Sequence, residues 1–455
     1  MKSFLYLTLF LFIAACGIDK ESAPPLPSSA GSGVLDSSFA GTGYFVHDGA
    51  AGGNLADEVY GIAVDSQDHV ILVGSSINSV GNLDMTIWRL KEDGTLDTTF
   101  NGSGIFSHDG AAGGTNQSDV GLAVVVDSSD NIFVTGYSTN GSSNFDMAIW
   151  KVTSSGSLDT SFNGTGYFTH DSAAGGNNHD QGAGIILDGS GDIFVAGYSD
   201  QSVLNRDMAL WKVTSTGSLD ASFNGSGFVT DDNSNGGTHE QGNNLTIDGS
   251  GNIVVVGRAD SAAASSDMAI WRYDNTGSLD TTFNGIGYFF HNSAAGGNSF
   301  DSATDLVLDV TGNLYVTGSS RNAANNNDMV IWKVTDSGAL DTSFDGDGYF
   351  VFDYSAHAIS GNSSDTGEAI TFDGSGRILV TGGGNGDMFL WRLDTDGNLD
   401  TDFSDDGYFN HDSAAGGFDS DIGESIVIDH EGRINIGGFS RNASGNNDAV
   451  GWRFQ

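Results

Sequence analysis

Carboxylates dominate the side chains that could do chemistry here: 59 Asp and Glu stand against 16 Lys and Arg, a formal net charge of −43. Seven acids, Asp57, Asp119, Asp180, Glu240, Asp301, Asp365 and Asp421, each stand eight residues before another recurring Asp. If all seven face one axis, like charges crowd a channel mouth and each disfavours ionisation of the others. A hard cation with oxygen ligands would relieve that crowding, and Ca²⁺ is the ion such a ring would take. No other cofactor is expected. The local alternative is that each acid accepts hydrogen bonds from nearby turn amides. His47, His108, His170, His291 and His411 share a second recurring position. Spread one to a repeat, they lie too far apart to share an ion, so a structural role is expected. The run 394–400 carries carboxylates at a spacing that hints at Ca²⁺, but its Gly is misplaced for an EF-hand and no Glu follows at the twelfth position, which leaves a hairpin turn. No G-x-S-x-G, H-E-x-x-H or P-loop occurs. No catalytic residue is assigned. The polar residues without counterparts in other repeats are Arg258, Glu368 and Glu424.

The charge excludes a nucleic-acid binder, whose phosphate contacts need clustered Lys and Arg. It also disfavours electrostatic docking on anionic lipid. A single Cys excludes an internal disulfide. The first residues read MKSFLYLTLFLFIAAC, a short basic start and an apolar stretch too short to span a bilayer. The ending Ile13-Ala14-Ala15-Cys16 resembles the lipobox of bacterial lipoproteins. That resemblance implies removal of a signal peptide at 1–15, acylation of Cys16 and a membrane contact made through lipid alone. Gly17, rather than Asp, after the Cys implies the outer membrane. Residues 16–34 hold all three prolines and read as a tether.

These residues must be positioned by a repeat. The element L-D-x-x-F-x-x-x-G starts at Leu35, Leu96, Leu158, Leu219, Leu279, Leu340 and Leu399, with gaps of 59 to 62 residues. The seven Trp follow the same period. Each copy holds four pieces rich in β-branched and aromatic residues, bounded by Gly, Asn, Asp or Ser. Their apolar runs lack clean alternation, as in sheets covered on both faces. Four strands per copy and seven copies predict an all-β fold, a seven-bladed β-propeller over residues 35–455. The repeat region opens with a fourth-strand piece, 43–48, and closes after three pieces. The N-terminal strand is therefore expected to complete the last blade and close the ring. A recurring Gly nine residues after each turn Asp predicts a bulge or close strand approach. A basic residue follows every Trp and is expected to pair with a recurring Asp.

The combination L-D-T-[TS]-F-N-G-x-G, D-G-S-G-[DNR]-I-x-V-x-G and D-M-A-[IL]-W-[RK] resembles the delta-60 repeat, a bacterial β-propeller family. The resemblance covers residues 35–455 and implies a secreted or surface-held protein, with no catalytic residues to carry over. Copy six departs most, with Phe352-Asp353-Tyr354-Ser355-Ala356-His357 in place of the usual His-Asp-Ser-Ala-Ala-Gly-Gly. The expected function is a non-enzymatic, lipid-anchored binding or structural module, monomeric, whose variable loops at 75–83, 138–145, 199–206 and 319–327 meet a glycan or protein. The alternative is a polysaccharide-acting hydrolase or lyase with its site at the channel mouth.

Overall fold

The computed structural model describes residues 33–114, 117–232, 234–262, 265–354 and 364–455. Cys16, the leader and nearly all of the tether lie outside the described residues, as does the second half of the copy-six departure, 355–357. The described residues form 28 β-strands and no α-helix, so none is long and apolar enough to cross a membrane.

Strands pair antiparallel with their sequence neighbours in groups of four. The first group is β2 (Gly52–Val64), β3 (Val70–Asn78), β4 (Leu83–Leu90) and β5 (Ile105–His108), in that spatial order. Four sheets are separate four-stranded units. A twelve-stranded sheet joins three more groups through single parallel bridges, Arg206 to His239 and Ser266 to Phe300. The last group combines β26 (Gly416–Ile428), β27 (Ile434–Asn442) and β28 (Asn447–Phe454) with β1 (Tyr44–His47). Tyr44 stands opposite Trp452 in that pairing.

The core lies between neighbouring groups rather than within one. Ile71, Val73, Met85 and Ile87 of the first group pack on Ile132, Val134, Ala148 and Trp150 of the second. All seven Trp are fully buried, and burying rings of that size dominates such a core. Their indole N–H groups need partners. Five donate to the Nδ1 of His47, His108, His170, His291 or His411 at 3.1 to 3.4 Å. This is the structural role of those histidines, and burial lowers the pKa of each. Trp271 instead donates to Ser234 Oγ at 3.3 Å. The basic residue after each Trp pairs with the Asp of a Leu-Asp element at 2.7 to 2.9 Å in all seven copies. Arg453 makes the longest reach in sequence, back to Asp36.

The first strands of the groups are β2, β6 (Asp119–Val126), β10 (Asp180–Leu187), β14 (Gly236–Ile247), β18 (Gly296–Leu308), β22 (Asp365–Phe372) and β26. Each contacts the next, and β26 contacts β2. Every one of them carries a bulge at the same place. The recurring Gly stands opposite it. At Gly74 a Cβ would lie 1.8 Å from the Glu58 carbonyl oxygen, so only Gly lets the strands close there.

Candidate functional site

The bulge decides which side chains meet at the centre. In each first strand the register skips one residue: Tyr60, Leu122, Ala183, Asn243, Thr304, Glu368 and Glu424. A bulge re-aims the extra side chain, and all seven line one cavity of about 180 Å³. Each stands three residues after the repeated acid, at a position the copies do not share.

One wall of this cavity is acidic. Burial raises the pKa of Glu368, and burial, then Glu368 and Glu58, raise that of Glu424 well above the ordinary range. The two titrate as a pair that keeps a proton where isolated carboxyls would have lost it. Glu58 accepts hydrogen bonds from the Tyr60 hydroxyl and, at 2.6 Å, from Asn447 Nδ2. Asp305, also buried at the cavity, has its oxygens satisfied by Asn244 Nδ2 at 2.6 Å and by the amides of Leu306 and Ile370 at 2.8 Å. Burial pushes it up to about 6.

Cations and rings join the cavity from outside its lining, through Asn243. Gln241 Nε2 donates to the cavity-lining Asn243 at 2.8 Å. Its Oε1 accepts from Arg206 Nη1 at 3.0 Å and from Arg258 Nη2 at 3.4 Å. Arg206 also pairs with Asp200 at 2.8 Å and stacks 3.5 Å over the Tyr198 ring. Arg258 and Arg321 both lie over Phe300, at 5.6 and 5.4 Å. Further round, Phe145 stacks on Tyr137 and against His179, with centroids 4.2 and 4.4 Å apart. None of these aromatic or basic residues recurs at its position in all copies.

Six segments, 68–100, 128–162, 189–223, 249–283, 311–344 and 374–403, match the family described as a domain of unknown function (DUF5122) beta-propeller. The chain is built from β-propeller repeats. No curated protein matches it. Among solved structures, this propeller is similar to the extracellular domain of BT4673 from B. thetaiotaomicron, at 12% identity and a TM-score of 0.40 over 89% of this chain and 39% of that one. It therefore spans about two fifths of that relative's length. It is similar to Drosophila Plexin A in complex with Semaphorin 1b, at 9% identity and 0.44 over 90% and 86%. Trypanosoma rangeli sialidase matches at 12% and 0.38 over 73% and 54%.

The propeller's seven repeated acids are all buried, and none lines the cavity. Asp57, Asp119, Asp180, Asp301, Asp365 and Asp421 accept backbone amides of the loop entering their own strand, from Gly49, Gly110, Ser172, Ser293, Tyr354 and Ser413 at 2.8 to 3.2 Å. Glu240 is buried at the equivalent place. Burial raises Asp119 to about 7 and Asp180 to about 6. Where copy five meets copy six, Asp328, Asp353 and Asp365 each bring an oxygen within 4.8 Å of the others, a grouping met once among the described residues. The 394–400 run is a turn whose Asp394 accepts the amides of Asp396 and Asn398 at 3.0 and 2.9 Å. Of the residues without counterparts, Glu368 and Glu424 meet at the cavity and Arg258 joins it through Gln241. The sequence reading passed over Tyr60, Asn243, Gln241, Arg206 and Phe300. Counting three residues from each repeated acid would have found the first two.

Proposed function

We propose that this protein is an extracytoplasmic binding module: a seven-bladed propeller closed by its N-terminal strand, held to a membrane through Cys16, with its channel mouth turned to a glycan. The observation that carries this reading is the contrast between copies. Residues that repeat are spent on packing, turns and ion pairs. Residues that differ gather at the bulges of the first strands, where Tyr60, Asn243, Thr304, Glu368 and Glu424 line one cavity, and in a group of guanidiniums and rings joined to it through Gln241 and Asn243. A rigid frame carrying variable polar and aromatic groups is a recognition surface. The Tyr44–His47 strand on β28 and the Arg453–Asp36 pair support closure, because both tie the first residues of the repeat region to the last.

The test is a binding screen of the purified full chain against glycans and envelope extract, with reducing ends followed in parallel. Saturable binding without new reducing ends is the expected outcome. Release of reducing ends that disappears in Glu424→Gln would favour the second reading, a polysaccharide-acting hydrolase or lyase. The Glu368–Glu424 pair favours that reading, since burial raises both carboxyls and the Glu368 charge raises Glu424 further, the direction a general acid needs. Anchoring is checked separately. Cys16→Ser should move the protein from the membrane to the soluble fraction, and intact mass should show acyl groups on the parent alone.

A further inference from the structure

Most cations of this acidic chain are already spoken for. The seven that follow Trp are paired with an Asp. Arg377 and Arg433 pair with the turn carboxylates Asp373 and Asp429 at 2.7 Å. Arg258 and Arg321 differ. Among the described residues no carboxylate lies within 4.0 Å of either guanidinium. A guanidinium carries five N–H donors, and Gln241 takes only one from Arg258. Asn327 Oδ1 receives one from Arg321 at 3.4 Å. Burial, reinforced by the neighbouring Arg206 charge, lowers the Arg258 pKa, so the fold holds this cation where its own surroundings disfavour charge. Gln241 grips two guanidiniums with one oxygen, and Phe300 lies beneath Arg258 and Arg321. A guanidinium placed over a ring and bonded to one amide oxygen, with most donors unspent, can receive a planar anion.

Resting on the binding-module reading, we infer that Arg206, Arg258 and Arg321 form a carboxylate-binding subsite for an acidic sugar, with Arg258 as its bidentate centre. The rest of the mouth argues for a sugar over an acidic peptide. The cavity beside them is lined by Glu368, Glu424, Asn243 and Thr304, with Glu58 held against it by the lining Tyr60. That lining is rich in acceptors, and a sugar offers a hydroxyl for each, whereas a peptide of several carboxylates would be repelled by it and by a net charge of −43. One carboxylate on the arginines and hydroxyls on the cavity lining satisfy both.

Calorimetric titration of the full chain in detergent tests this, with tri-galacturonate, its methyl ester and an Asp/Glu hexapeptide as probes. Tri-galacturonate should bind, and the ester at least ten-fold more weakly. Arg258→Gln should lose at least ten-fold in affinity for the acid and little for the ester. Arg258→Lys, which keeps the charge and loses the fork, should fall between. Arg441→Gln, an arginine off this arc, should bind as the parent does. Thermal melts of both Arg258 variants establish that they fold, and if Arg258→Gln does not, Arg258→Lys alone carries the comparison. The inference is overturned if the acid does not bind, if acid and ester bind alike, if Arg258→Gln and Arg258→Lys match the parent, or if the peptide binds as tightly. A neutral glycan bound equally by parent and variants would overturn this subsite and leave the binding module standing. Cleavage of a glycan would instead overturn the module.

Discussion

Arg272 and Arg258 belong to adjacent strands of one sheet, Ser266–Tyr273 and Ile253–Ser261, yet they are held in opposite ways. Arg272 bonds Asp280 at 2.8 Å, the Asp336 carbonyl of the next copy at 2.8 Å and Thr282 at 3.1 Å, with Phe283 beneath it. Every copy rebuilds the Asp part of that seat. Arg258 has one glutamine oxygen, a phenyl ring and a second cation beside it. The first arginine completes the structure and the second is left incomplete by it. Sites that break local rules without an evident structural gain are where function is expected.

The contrast is broken most forcefully at the seat. Arg272→Ala strands the Asp280 carboxylate and removes the tie to the next copy. Asp280 keeps some exposure, so the loss falls at the low end of the about 3–5 kcal/mol that truncating one partner of a fully buried pair costs. Denaturant titration should show a loss of this size, and a loss below about 1 kcal/mol would mean the seat is ornamental.

A smaller effect tests one of the repeated acids through pH. Asp119 is fully buried, and burial lifts its pKa to about 7 from the model-peptide value of 3.8. A raised folded value means that its stabilising contribution is complete below about pH 4 and is lost as pH rises through 7. Asp119→Asn keeps an oxygen for the Gly110 amide, 2.9 Å away, and removes the charge. Between pH 5 and pH 8 the parent should lose roughly 2 kcal/mol more stability than the variant. Parallel stability–pH curves would show that Asp119 does not titrate in this range.

Both arginines differ in how far the sequence revealed them. Arg272 follows a Trp in a pattern repeated seven times, so its pairing was legible from counting. The strand content, the turn Asp residues and the close approach at Gly74 were legible for the same reason: each recurs. Glu368 and Glu424 each stand three residues after a repeated acid, but nothing in the spacing tied that position to the centre or to Arg258. The missing link was the bulge. It inserts one residue into each first strand, breaks the two-residue alternation, and turns Tyr60, Asn243, Glu368 and Glu424 inward. The seven repeated acids drew attention because they repeat, and six of them accept backbone amides of the loops beside them. In a repeat protein, identity between copies reports the scaffold, whereas the binding groups lie among the differences, whose meeting depends on register.

The smallest expected effect is the sharpest test of the comparison. Arg258→Gln removes a cation that burial and the Arg206 charge disfavour, and that Asp260 favours less strongly. No carboxylate within 4.0 Å is stranded by the change among the described residues. The cost is a weak 3.4 Å bond and one face of contact with Phe300. The gain is relief of like-charge repulsion and of the burial of a charge. These oppose one another, so unfolding free energy should stay within about 0.5 kcal/mol of the parent, the ordinary range for a substitution that breaks no structural device. The melting temperature should also rise slightly more at low than at high ionic strength, because the repulsion relieved is screened by salt. A loss comparable to that of Arg272→Ala would make Arg258 a second structural seat, and the distinction between the two arginines would collapse.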